Sequence, residues 1–231
     1  MSGNEHSIDQ SQSTVEIQRR APLRLAVLVS GTGSNLQALI DAIESKELAD
    51  VEVVLVVSNK AGAAGLHRAL KHKLPAIFLP WKQRGLAEAR LTELLRIFEV
   101  DIIVLAGWMR IFSPEFTAQY PQRIINLHPA LLPDNGTDDT YTTSNGSVVP
   151  ALRGLHVVQR AIDAGLTITG STVHFVTPEV DAGPAICHAE VPIEADDTEE
   201  TLHEKIKREE HRLIVEAVRG LAGRVPLHIS S

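Results

Sequence analysis

Apolar runs alternate with amphipathic stretches along this chain from Leu23 onward, and that alternation limits its fold more than any other feature. Leu23–Ser30 reads LRLAVLVS, continuous in apolar residues, as a strand buried on both faces should be. After Gly31-Thr32-Gly33-Ser34-Asn35, the residues Leu36, Leu39, Ile40 and Ile43 recur at helical spacing and form one stripe. Val51–Ser58 is a second expected strand and Gly62–His72 a short helix. Ala76–Leu79 reads as a third strand, Arg84–Phe98 as a helix with Leu91, Leu94 and Leu95 inward, Asp101–Ala106 as a fourth strand and Arg123–Leu127 as a fifth. Strands separated by helices predict an α/β fold: a single domain whose mostly parallel, twisted sheet is flanked by helices. At 231 residues and 44% hydrophobic, the chain has enough apolar material for such a core.

The second half reads differently. Asp134–Pro150 is a run of Asp, Asn, Gly, Thr and Ser, expected to be a mobile loop insertion apart from the chemistry, because such a composition buries too little to offset chain entropy. A helix at about Gly154–Ala164 follows, then strands Thr167–Val176 and Ala185–Ile193 around the acidic turn Thr177–Pro184. The last helix, Thr198–Leu221, is expected to start from Asp197 as N-cap with Glu200 three residues on, and its stripe is Leu202, Ile206, Leu213, Ala217 and Leu221. Arg224–Ile229 reads as a short terminal strand, and residues 1–21 as a disordered polar tail before a domain over 22–231. That tail has no hydrophobic signal core, and no apolar run reaches the roughly 18 residues a membrane span needs. The single cysteine, Cys187, excludes an internal disulfide framework and fits a cytoplasmic protein. A net charge of −7 argues against nucleic acid or anionic membrane as partner, so an anionic ligand needs a local device.

Three constellations supply candidate chemistry. Asn126-Leu127-His128-Pro129 ends the fifth strand and puts two polar side chains at a sheet rim, where open α/β folds bind ligands. Asn donates and accepts, and His changes charge near neutral pH, which suits a reaction that develops an oxyanion while a proton moves. Asp181, in its Gly/Pro-bounded turn, is a carboxylate able to orient His128; the plainer reading is a loop-capping Asp. Gly31–Asn35 lacks the third glycine of a dinucleotide fingerprint and the Lys of a P-loop, so a monophosphate at the helix start is favoured over a tight turn alone. Gly107-Trp108-Met109-Arg110-Ile111-Phe112 follows the fourth strand and suits a flat aromatic ligand, or else caps the core. The other histidines, including His156, His174 and His188, show no metal-ligand spacing and read as structural or surface; no metal is expected.

In their order and spacing, SGTGSNL, AGWMRI, NLHPALLP, GSTVHFV with DAGP, and the helix ending KREEH resemble the glycinamide ribonucleotide transformylase (phosphoribosylglycinamide formyltransferase) family of purine synthesis, from Leu23 to Leu221. The resemblance implies a Rossmann-like formyltransferase fold and transfer of formyl from 10-formyltetrahydrofolate to the amine of glycinamide ribonucleotide, with folate as cosubstrate and no tightly bound cofactor. It implies Asn126, His128 and Asp181 as the catalytic three, with imidazolium His128 kept charged by Asp181. Gly33, Ser34 and Asn35, with Lys207 and Glu210, match phosphate and ribose contacts. Arg84, Met109, Arg110, Ile111, Phe112 and Val180, again with Asn126, match the folate site. Small-molecule substrates and a monomer or homodimer follow. Two departures stand out: the insertion between Pro133 and Gly154, and Ala130 where Ser is common. The nearest alternative is a 10-formyltetrahydrofolate hydrolase; a methionyl-tRNA formyltransferase and a non-catalytic folate- or nucleotide-binding regulator share the scaffold.

Overall fold

Leu25, Ala26, Val27, Leu28 and Val29, in strand β1 (Leu23–Val29), are wholly shielded from solvent, because helices cover both faces of the sheet they thread. A computed structural model of the chain describes residues 22–223. The expected N-terminal tail and the strand at Arg224–Ile229 lie outside the described residues. After β1 come α1 (Ser34–Glu44), β2 (Val51–Ser58), α2 (Ala64–Lys71), β3 (Ala76–Phe78), α3 (Arg84–Ile97), β4 (Ile102–Leu105), α4 (Pro114–Ala118) and β5 (Ile124–His128). The second half adds β6 (Thr140–Thr142), β7 (Val148–Pro150), α5 (Val157–Asp163), β8 (Ile168–Phe175), β9 (Ala185–Pro192) and α6 (Glu199–Ala222).

Seven strands form one sheet in the order β3-β2-β1-β4-β5-β8-β9. Those from β1 to β5 run parallel, and β8 and β9 are antiparallel additions. Alternate residues of β1 serve opposite faces: Leu25, Val27 and Val29 pack toward α1, α2 and α6, Ala26 and Leu28 toward α3 and α4. A register shift between Leu25 and Ala26 matches an extra residue in β2, so Val54 and Leu55 both face the α3 side while Val53 and Val56 face the other. Each such apolar side chain stabilises the fold by about 1.5–3 kcal/mol.

Three local expectations change. Helix α6 is capped by Thr198, whose Oγ1 accepts from Thr201 N at 3.2 Å while Thr201 Oγ1 accepts from Thr198 N at 2.9 Å. Asp197 is not the cap because its carboxylate already accepts from Lys205 Nζ and Glu194 N, both at 2.9 Å. Helix α4 was not expected, although Ser113-Pro114-Glu115 is a start signal: Ser113 Oγ accepts from Phe116 N, and Pro114 fills the first turn. The third is the Asp134–Pro150 segment. It is an ordered antiparallel hairpin, β6 with β7, that buries Thr143 and Val149. Asn145 Oδ1 closes its turn by accepting from Thr143 Oγ1 at 2.7 Å and Ser147 N at 3.0 Å. Docking supplies the rest: Ser144 N and Oγ both donate to Glu190 at 2.6 Å, and the Tyr141 ring lies 5.0 Å from His188. Backbone pairing and attachment to β9 order a segment that has no core of its own.

Candidate active site

The chain leaves β1 to build β2 and β3 on one side and returns to build β4 on the other, so the carboxyl ends of β1 and β4 flank a topological switch point. Gly33 stands there in the left-handed region (φ 71°) as N-cap of α1, and a Cβ on it would sit 2.6 Å from Gly65 Cα. Only glycine allows both that turn and the approach of α2. Neither Ser34 nor Asn35 caps α1; both fall inside its first turn, where backbone N–H groups have no helical acceptor. Asn35 is buried and its Nδ2 donates to Glu210 Oε2 at 3.1 Å, leaving Oδ1 without a partner. Burial pushes the Glu210 carboxyl above the usual range, against the Asn35 hydrogen bond and the charges of His203 and Lys207. Lys207 turns instead to Glu204 at 2.5 Å, so the two α6 residues do not pair.

The segment after β4 is tied to this loop through Ser30, whose Oγ accepts from Met109 N at 3.0 Å and donates to Asn59 Oδ1 at 2.7 Å. Met109, Arg110, Ile111 and, across the rim, Val180 are exposed, as is Arg84 at the start of α3. Phe112 is not: its ring is buried and stacks on Phe116 at 4.5 Å, leaving its backbone as the part a ligand can meet. Trp108 is buried beside it, one edge toward Trp81.

At the end of β5, pairing decides the geometry. Antiparallel register sets Asn126 opposite His174 and His128 opposite Thr172, and opposed residues share a face. Asn126 Nδ2 lies 3.2 Å from His174 Nε2, and the other ring nitrogen of His174 faces the Phe175 carbonyl at 2.9 Å. Asp181, within the β8–β9 turn, completes the group: Oδ2 is 3.3 Å from His128 Nδ1 and Oδ1 is 3.5 Å from His174 Nε2. Sequence reasoning placed His174 among the structural histidines; its position two residues before Val176 in GSTVHFV, opposite Asn126, makes it part of this cluster. The hydroxyls of β8 fix the chain leaving His128. Ser171 Oγ donates to the His128 carbonyl at 3.0 Å, and Thr172 Oγ1 donates to Ala130 O and accepts from Leu132 N.

His128 is nearly wholly buried, with Nε2 2.7 Å from the Leu152 carbonyl. Burial pulls its pKa below the ordinary imidazole value; Asp181 and the Leu152 carbonyl oppose this, while His174 and Arg153 reinforce it. Burial and the carboxylate 3.3 Å away thus pull on the ring in opposite directions, and in the free protein burial has the larger effect. For Asp181 burial works toward neutrality, but His174, the neighbouring His128 ring and the Gly154 amide outweigh it and hold the carboxyl below its usual range. Among the described residues, no group of three or more His, Cys, Asp or Glu is placed to hold a metal ion.

A family profile described as formyl transferase matches residues 23–218. The chain is 40% identical over 203 residues to the trifunctional purine biosynthetic protein adenosine-3 of Bos taurus, covering 86% of this chain and 18% of that protein. It thus spans less than a fifth of that relative's length. It is 38% identical over 193 residues to the phosphoribosylglycinamide formyltransferase of Haemophilus influenzae, covering 82% of each. The crystal structure of glycinamide ribonucleotide transformylase 1 from Symbiobacterium toebii matches with a TM-score of 0.77 at 36% identity, covering 90% of this chain and 92% of that one. With the match running from β1 into α6 and its motifs gathered along one sheet rim, the chain belongs to the formyl transferase family.

Proposed function

We propose that this chain transfers the formyl group of 10-formyltetrahydrofolate to the amine of glycinamide ribonucleotide in purine biosynthesis. The observation that carries the reading is the convergence of Asn126, His128 and Asp181 at one rim with the Gly33–Asn35 helix start. The helix start takes the substrate phosphate, with Asn35 and Glu210 beneath it and Lys207 on the flank. The exposed run Met109–Ile111, the Phe112 backbone, Val180 and Arg84 receive the folate. The names borne by the bacterial relatives support this choice of substrates.

In the step itself the neutral amine attacks the formyl carbon, a C–N bond forms and the carbonyl becomes an oxyanion. Asn126 keeps one amide N–H beyond the one facing His174, and that donor meets the oxyanion. His128 Nε2–H is shared with the Leu152 carbonyl in the free protein, and an oxyanion, the stronger acceptor, competes for it. Asp181 orients the His128 ring and, through water, relays the proton from the amine to N10 of the folate as the C–N10 bond breaks. No helix among the described residues is long and apolar enough to cross a membrane. A reducing cytoplasm suits Cys187, whose thiol pKa burial pushes up to about 12.

The test follows formation of tetrahydrofolate from 10-formyltetrahydrofolate spectrophotometrically, with and without glycinamide ribonucleotide. Product formed only with the amine supports transfer. Product without it means a hydrolase, and no product means a binding protein; either overturns the reading.

A further inference from the structure

Arg153, at the exit of the inserted segment, spans three backbone carbonyls. Its Nε donates to Asp181 O at 3.1 Å, and its Nη2 donates to Gly136 O at 2.9 Å and Asp138 O at 2.6 Å. The guanidinium thereby joins the start of the insertion to the turn that presents Asp181. Its neighbours continue the tie on both sides: Gly154 N donates to Asp181 Oδ2 at 2.9 Å, and the Leu152 carbonyl faces His128 Nε2. The contact is close throughout, since a Cβ on Gly136 would stand 2.2 Å from Gly183 O. Asp181 is itself a non-glycine residue in the left-handed region (φ 52°), a conformation that persists only where surroundings hold it.

We propose that Arg153 is a positioning residue that holds Asp181 against His128, which makes the inserted segment a working part of the active site. The proposal rests on the formyl-transfer reading. It also reverses the expectation that the insertion stands apart from the chemistry. The groups facing His128 are Asp181, His174, Arg153 and the Leu152 carbonyl; those facing Asp181 are His128, His174 and the Gly154 amide. Arg153 therefore has two possible actions on the pair: its charge, which disfavours an imidazolium, and its fork of donors, which orders the turn. A lysine keeps the charge and loses the fork.

The experiment compares Arg153→Ala, Arg153→Lys and the control Glu93→Ala in the whole protein. Glu93 is an exposed carboxylate on helix α3, outside the tie. In both Arg153 variants kcat should fall about tenfold or more with both KM values within about twofold, the signature of lost orientation. Amide hydrogen exchange at Gly154 should accelerate in both, and added guanidinium should restore part of the activity of Arg153→Ala. Glu93→Ala should match the parent in every respect. Parent-like kcat in Arg153→Lys would assign the effect to charge and overturn the proposal. So would unchanged Gly154 exchange in variants that have lost activity, or unchanged kcat in Arg153→Ala. If the parent itself forms no product, the functional reading fails, and Gly154 exchange alone still decides whether Arg153 holds the turn.

Discussion

The two ends of the site are built in different ways. On the β1 side, one stretch of chain suffices: strand, left-handed glycine and helix start follow one another from Val29 to Asn35, and the helix amides point where the turn sends them. On the β5 side nothing is contiguous. Asn126 and His174 meet through antiparallel register, Asp181 arrives from the next turn, and the carbonyl on His128 comes from Leu152 beyond an inserted hairpin. A site made by one turn is robust to changes elsewhere; a site made by four segments depends on each.

The largest effect that would sharpen this contrast is on turnover. His128→Ala and Asn126→Ala should each lower kcat by about 10²–10³ while the circular dichroism spectrum and substrate binding stay near the parent's. Near-parental kcat in either variant would remove that side chain from the chemistry. Asp181→Asn comes next. Asn tolerates the left-handed backbone at this position, so the change isolates the carboxylate: kcat should fall by more than KM rises, and the pH–rate profile should shift. A drop in melting temperature with unchanged kinetics would make Asp181 a loop cap only.

Gly33→Ala tests the other end. It meets both a positive φ and the 2.6 Å approach of Gly65, a strain of roughly 1–3 kcal/mol. KM for the ribonucleotide should rise with kcat less affected, the opposite split from the β5 side. Equal losses in both parameters would break the division of labour between the two ends.

The smallest effect is on stability, and its sign should differ between the ends. Burial depresses His128, so its neutral form contributes stability that is present above about pH 6.5 and lost as pH falls toward the folded value. Burial raises Glu210, so its contribution is present below about pH 4.5 and lost as pH rises through the folded value. Denaturant unfolding across pH should show His128→Gln flattening the acid loss below pH 6.5 and Glu210→Gln flattening the loss on raising pH, each slope at most about 1.4 kcal/mol per pH unit. Slopes of the same sign would show that burial does not dominate at one of the two sites.

Much of this molecule is determined by the order of its residues alone. Period and length made the parallel strands and their helices legible, because a strand buried on both faces must be apolar throughout and a covering helix must carry a stripe. The Gly33 turn and the polar end of β5 were legible for the same reason: each is a local departure from an apolar rule. Tertiary structure alone decided the rest. His174 looks like any strand histidine until register sets it across from Asn126. Phe112 turns into the core because three aromatic neighbours wait there, which no local pattern states. The direction in which the His128 pKa moves depends on how much water surrounds the ring, and residue spacing carries no measure of burial. The insertion misled for a related reason. Its composition rightly denies it a core, yet hydrogen bonds from Arg153 and Ser144 to distant partners order it against the site, and such long-range satisfaction of polar groups exists only once the chain has folded.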